Sequence, residues 1–422
     1  MSQTVLGSIT LSYEPIWSQS RVIVGFRLQV EPLNNHAVDA RHLLEALDSL
    51  WRESAPVVLL SIRSSSLLED VLDHATANSP WIEVLEHYTS NDKIATKLQA
   101  AHARGARLVW RGEMGHGPAL HAKGWFLKTL RSLTPNEALV CLRVALRQFP
   151  ASQYGGAAVL ASPVLCNQVY EGLGSKTLVE HALDQQGAWG VIGWPTEEIL
   201  HGYRFSKIQP ARLVIEHLIL AIDDDESLEQ LEHRLGEDPI LTYRFLKYVN
   251  SAALGLGHPV SCVRHGLMDL GYTKLRLWLE DQLEEAHLDP NLEPMRLQLV
   301  MRGRIMEQIT NTGIEDDLRR ELFLCGIFSQ LDGVFGESIG RTLHKLPLPG
   351  RIMSAILAKT GPYSPWLEMA TALECTSHRL IKNVCKAHHL PLNEVNRALL
   401  RALSTINEIQ NNHGKHKSAL VL

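Results

Sequence analysis

The chain has 422 residues, 45% of them hydrophobic and 21% charged, enough for two or three ordinary domains with cores of their own. Its 41 Lys and Arg against 46 Asp and Glu give a formal net charge of -5, which excludes a general electrostatic pull toward nucleic acid or an anionic membrane. Six cysteines without a C-x-x-C pair, no long apolar run and no charged-then-apolar leader point to reduced thiols in a soluble, cytoplasmic protein.

Strand and helix patterns alternate through the first half. Ile9–Tyr13 and Arg21–Val30 read as strands joined by a polar turn, followed by a helix over Val38–Arg52. Pro56–Ile62 is a continuous apolar run of the kind buried on both faces of a sheet. Trp81–Leu85, Arg107–Trp110, Ala157–Ala161 and Trp189–Trp194 read as further strands, and Ile94–Arg104 and Lys176–Gln185 as helices. Ala138–Leu146 fits either. This alternation predicts a parallel α/β sheet or barrel. His201–Pro210 has no period and carries Gly202 and Pro210, so it divides a first domain, 1–200, from a second, 201–422.

The second half is helical throughout. Arg212–Ile222 is a helix, ended by the solvated acids Asp223 to Glu226. Ser227 caps the next, whose Leu228, Leu231 and Leu235 fall three to four apart, and Gly236 ends it. Asp238 is then an N-cap with Pro239 at the first helical position, where its missing N–H costs nothing. That helix stops at Asn250-Ser251, and a loop with Gly255, Gly257 and Pro259 follows. Ser261 is placed to cap a third helix, which Gly271 closes, and Leu275, Leu277 and Leu279 open a fourth. Met295–Ile309, Leu318–Phe335, Leu367–Ala387 and Asn393–Ile409 complete the bundle, with its core at about 207–395.

Asp238-Pro239, the apolar helix after them, Asn250-Ser251-Ala252 and Leu270-Gly271-Tyr272 stand in one register that resembles the HDOD family, the signalling relatives of the HD phosphohydrolases. In this reading Asp238, Pro239, Asn250, Ser251 and Gly271 mainly shape helix ends. Where a hydrolytic HD domain would carry its metal-binding His-Asp pair, Ser329-Gln330 stands instead.

Tyr13-Glu14-Pro15-Ile16, followed by Val22 to Gly25-Phe26, resembles the opening of an EAL domain, the cyclic-di-GMP phosphodiesterase barrel, over about residues 8–200. The resemblance implies divalent metals held by carboxylates and an Asn, activating a water. Yet Arg27-Leu28-Gln29 replaces the Glu-Ala-Leu triplet, and a guanidinium cannot ligate a cation. The Asn falls on Ser61. Glu-x-x-Glu survives as Glu83-Val84-Leu85-Glu86, and Asp-Asp-Phe-Gly reads Gly112-Glu113-Met114-Gly115. The family's Lys has no assigned position. Because a (β/α)8 barrel typically takes ~250 residues, elements are expected to be trimmed or missing.

The expectation is therefore a degenerate, shortened EAL-type (β/α) barrel followed by an HDOD helical bundle. It is expected to be no enzyme, to need no cofactor or metal, and to work as a bacterial signalling regulator through a protein partner. Neither nucleic acid nor membrane is an expected partner. The alternative is a metal-independent sensor of cyclic-di-GMP or another nucleotide. Its site would be a vestigial barrel mouth of Arg27, Glu83, Arg111 and Glu113, with the two arginines pairing phosphates. The histidines offer no competing metal site: His388 and His389 would face ~100° apart on a helix, and His413 and His416 lie in a basic tail without further ligands.

Overall fold

The computed structural model describes residues 5–33, 38–51, 55–112, 116–146, 161–309 and 315–406. Eight strands close a barrel: β1 Ile9–Trp17, β2 Ile23–Pro32, β3 Val57–Ile62, β4 Trp81–Leu85, β5 Leu108–Arg111, β6 Phe126–Ser132, β7 Val169–Glu171 and β8 Gly190–Ile192. β1 runs antiparallel to both β2 and β8, and every other neighbouring pair is parallel.

Of the elements expected to be trimmed or missing, no strand is absent, since all eight are present. The shortening lies in the connections. A hairpin joins β1 to β2, with Ser18 N–H donating to Val22 O at 2.9 Å. Among the described residues, β5 and β6 are joined with only the three-residue turn Lys123–Trp125. β6 and β7 had no strand signal. β6 interleaves Lys128, Arg131 and Ser132 with its apolar residues, and β7 is too short to show a period. Ala138–Leu146 resolves to the helix Pro135–Leu146. The strand expected at Ala157–Ala161 lies outside the described residues except for Ala161, which is in no strand.

The barrel core is a layer of inward side chains, with Ile16, Leu59, Trp81, Val109, Leu130, Val169 and Ile192 all buried together. Successive residues of a strand point to opposite faces, so the residues two positions further along lie in the next layer of the interior. That period sets the composition of the barrel mouth.

The chain divides into two compact units. The first comprises residues up to Glu198 together with Ala372–Leu400, and the second comprises Ile199–Thr371 with the chain from Arg401. The helix His378–Ala387 and the first part of Leu392–Ser404 therefore group with the barrel, where the sequence pattern had placed them in the bundle. The reason lies in β1. β8 reaches only Ile16 and Trp17 of it, leaving the earlier backbone without a strand partner on that side. Buried backbone groups need partners. Asn396, fully buried, donates to Leu6 O at 2.7 Å and Ile9 O at 2.8 Å and accepts from Leu11 N–H at 3.3 Å. His378 Nδ1 meets Thr10 Oγ1 at 2.9 Å.

The second unit is built of helices, among them Arg212–Asp223, Leu228–Leu235, Pro239–Val249, Val263–Glu285, Glu293–Ile309 and Asp316–Phe328. Ser227 and Gln230 form a reciprocal capping box. Gly271 has φ 71° and ψ 163°, breaking Val263–Glu285 into the two helices the sequence predicts. Only glycine occupies that region comfortably. The third cap differs from expectation: Cys262, not Ser261, takes the N-cap place, and no side chain bonds there. Glu293–Ile309 and Asp316–Phe328 meet at paired glycines, since a Cβ on Gly326 would lie 2.5 Å from Gly303 Cα. No helix among the described residues is long and apolar enough to cross a membrane.

Candidate functional site

The layer beyond the barrel core is polar. Two positions on from Leu59, Trp81, Val109, Leu130 and Val169 stand Ser61, Glu83, Arg111, Ser132 and Glu171. In antiparallel β1, two positions before Ile16, stands Glu14. Arg27 pairs with Glu14 in the β1–β2 register. Each of the first seven strands thus supplies at least one side chain to the mouth.

Arg27 is the centre of this layer, and 3% of it is exposed. Its Nη2 donates to Glu83 Oε1 at 2.8 Å, and its Nε lies 2.7 Å from Glu83 Oε2 in an ion-pair contact too bent for a hydrogen bond. Its Nη1 donates to Glu171 Oε2 at 3.0 Å and Glu14 Oε2 at 3.4 Å. Arg111 donates to Glu171 Oε1 at 2.9 Å from Nη2 and to Glu83 Oε1 at 3.3 Å from Nη1. Hydroxyls complete the ring: Ser61 donates to Glu83 at 3.1 Å and Ser132 to Glu171 at 3.1 Å. Gln29 donates to Glu14 at 2.8 Å.

The electrostatics follow from this packing. Burial alone would lower the Arg27 pKa, but Glu83, Glu14 and Glu171 outweigh it and hold it above the ordinary value. Burial would raise the Glu171 pKa, yet Arg27 and Arg111 bring it below the usual carboxylate range. The EAL resemblance implies divalent cations here, and these donors do not fit them. A guanidinium lies among the carboxylates, and an Arg cannot be deprotonated to ligate metal. Among the described residues no three His, Cys, Asp or Glu side chains gather in a metal-holding group.

The structure therefore brings together Arg27, Glu83 and Arg111 of the expected mouth. Glu113 lies outside the described residues. Sequence reasoning missed Glu171, Glu14, Gln29 and Ser132. Its picture of two arginines free to pair phosphates is corrected: both already face carboxylates. The signal for Glu14 was present in the β1–β2 hairpin, where a turn fixes the register and sets it opposite Arg27. No such signal existed for Glu171, on a three-residue strand.

The helical motif is absorbed in structure. Asp238, fully buried, accepts from Ile240 N–H at 2.7 Å and Leu241 N–H at 3.0 Å through Oδ1, and from Ala211 N–H at 2.6 Å through Oδ2. Arg296 Nε approaches Oδ2 at 3.5 Å. Asn250 donates to Leu246 O at 2.7 Å and Val260 O at 2.8 Å, and accepts from Val260 N–H at 2.8 Å, clamping the loop that follows. At the place of the HD pair, Ser329 Oγ donates to Gly326 O at 2.8 Å and accepts from Arg302 Nη1 at 2.9 Å.

Residues 210–335 match the HDOD domain. The chain is 26% identical over 212 residues to a Vibrio cholerae protein named cyclic di-GMP phosphodiesterase CdgJ, spanning 48% of this chain and 49% of that relative, so about half its length. Among solved structures, a calcium and cyclic di-GMP complex of BlrP1 from Klebsiella pneumoniae aligns at 14% identity and TM-score 0.29, covering 46% of this chain and 57% of that one. The cGMP-bound EAL enzyme Bd1971 aligns at 13% identity and TM-score 0.28, covering 44% and 60%. The relative named as a phosphodiesterase overturns the expectation that the chain is no enzyme, and that expectation is withdrawn. It had rested on single motif positions, which do not speak for a whole chain.

Proposed function

We propose that this chain, which joins an EAL-like barrel to an HDOD domain, is a regulator in bacterial cyclic-di-GMP signalling that acts through a protein partner. The observation that carries this reading is the internal ion pairing of the barrel mouth. Glu83, with 1% of its side chain exposed, already meets Arg27, Arg111 and Ser61, and Glu171 meets Arg27, Arg111 and Ser132. Moving these carboxylates to other ligands would break buried ion pairs in a low-dielectric interior, which is costly. A surface that recognises another protein asks for no such rearrangement.

One observation favours a second reading, metal-independent binding of a cyclic dinucleotide. The Arg111 side chain is 30% exposed, so it can exchange part of its pairing with Glu171 for a phosphate. Calorimetry with cyclic di-GMP, with and without manganese, tests both readings beside a hydrolysis assay and capture of partners on the immobilised full chain. The regulator reading expects no heat at high micromolar nucleotide and a retained protein. Heat without metal moves the assignment to the sensor. Turnover abolished by Glu83→Ala would establish catalysis at the mouth.

A further inference from the structure

The second unit holds an open cavity of about 530 Å³ beside the HDOD motif. One side is the loop after Asn250, held in shape by that residue's three hydrogen bonds to Leu246 and Val260. The other is the segment His344–Pro347, just beyond the HDOD match. Val249, Leu256, Leu346 and Pro347 make its walls aliphatic. Its charged and titratable lining is His258, His344 and Lys345, with no Asp or Glu, in a chain whose net charge is -5.

Two of these groups already meet acids that are not part of the lining. Asp269 Oδ2 lies 3.3 Å from His258 Nε2, and Glu337 Oε2 lies 2.6 Å from Lys345 Nζ. Lys345 and Glu337 are each more than two-fifths exposed, a surface pair that a ligand carboxylate can replace at little cost. The third observation is Ser251. Its backbone N–H donates to Tyr248 O at 2.9 Å, but its Oγ is buried without a hydrogen-bond partner. Buried hydroxyls normally have partners, so Ser251, a lining residue of the cavity, holds a spare donor that rotation about its Cα–Cβ bond can offer to an acceptor in the cavity. By contrast, the cavity of about 220 Å³ near Phe323 has four acids and three arginines in its walls, and Glu232–Arg320 and Glu307–Arg304 already pair there.

We propose that the cavity beside Ser251 docks an acidic segment of the protein partner, in which Asp or Glu alternates with aliphatic side chains. The carboxylates meet Lys345 and the Ser251 hydroxyl, and the aliphatic groups pack on Leu256 and Leu346. Charge complementarity favours such a segment, because the lining carries Lys345 and two histidines and no acid. The inference rests on the partner-binding reading above.

The test is fluorescence anisotropy on the full chain. One labelled peptide carries Glu-Leu-Glu-Leu between serines, and its counterpart carries Lys-Leu-Lys-Leu. The Glu peptide is expected to bind and the Lys peptide not to. Lys345→Glu, a change at a side chain more than two-fifths exposed, is expected to keep the wild-type circular dichroism spectrum and to weaken binding at least ~10-fold. Ser251→Ala, which only removes the unpaired hydroxyl, is expected to weaken it several-fold. Equal binding to wild type and Lys345→Glu, or no binding at millimolar protein, overturns the proposal. So does displacement by millimolar inorganic phosphate, which would make this a simple anion site. In the capture experiment, a partner retained equally by wild type and Lys345→Glu overturns the pocket but leaves the regulator reading. Retention of no partner by either protein overturns that reading.

Discussion

Replacing Arg27 with Met tests whether the guanidinium holds the barrel mouth together. The change keeps an unbranched side chain of similar length and removes the charge. Glu83, 2% exposed, then keeps only Ser61 at 3.1 Å and Arg111 at 3.3 Å, while Glu14 keeps Gln29. Removing one partner of a buried ion pair leaves an uncompensated charge and costs about 3–5 kcal/mol. At roughly 2–4 °C per kcal/mol for a unit of this size, the barrel transition should fall by about 6–20 °C. Tryptophan fluorescence follows that unit preferentially, because seven of the nine tryptophans precede residue 199. Circular dichroism at 222 nm follows the helical unit alongside it, since two units need not melt as one. Adding Glu83→Gln to Arg27→Met removes the stranded charge and should recover at least half of the loss. Arg27→Lys should fall between, keeping the charge but losing the planar fork. A loss under ~1 kcal/mol for Arg27→Met, the range of an exposed pair, would refute the argument. A double variant no more stable than the single one would refute it too.

Glu171 makes a pH prediction. Its folded-state pKa lies below the ordinary carboxylate value, so its contribution to stability is present above about pH 4.3 and lost as pH falls through the folded value. Urea titrations followed by fluorescence should show barrel stability dropping below about pH 4.3, and Glu171→Gln should flatten that drop. His378 works in the neutral range: burial lowers its pKa, against a smaller upward pull from Glu31. Its contribution is therefore present above about pH 6.5 and lost on acidification below it, and His378→Gln should remove a loss of exchange protection in His378–Ala387 seen below that pH. Asn396→Ala strands Leu6 O, Ile9 O and Leu11 N–H and should cost the barrel roughly 2–5 kcal/mol in urea unfolding. A Cβ on Gly271 meets nothing within 4 Å, so Gly271→Ala should cost only its backbone strain, about 1–3 kcal/mol by the same measurement on the helical unit.

The sequence by itself determined what depends on neighbours along the chain. The Ser227 and Asp238 caps, Pro239 at a helix start and the break at Gly271 are local backbone chemistry, and each stands where the residue types require it. The strands with continuous apolar runs, Val57–Ile62 and Trp81–Leu85, were legible for the same reason. So was Arg27, at a position where the EAL resemblance implies a carboxylate. What surrounds Arg27 was decided only by closure of the barrel. Glu83 and Glu171 are 56 and 144 residues away from it, on strands whose places around the ring no local pattern encodes. Asn396 reaches Leu11 across 385 residues because β8 covers only the end of β1 and the buried backbone before it must find partners elsewhere. Residue types and periods fix which groups turn inward. Which of them meet depends on ring order, and the requirement that buried charges and backbone polar groups be paired decides which meetings persist.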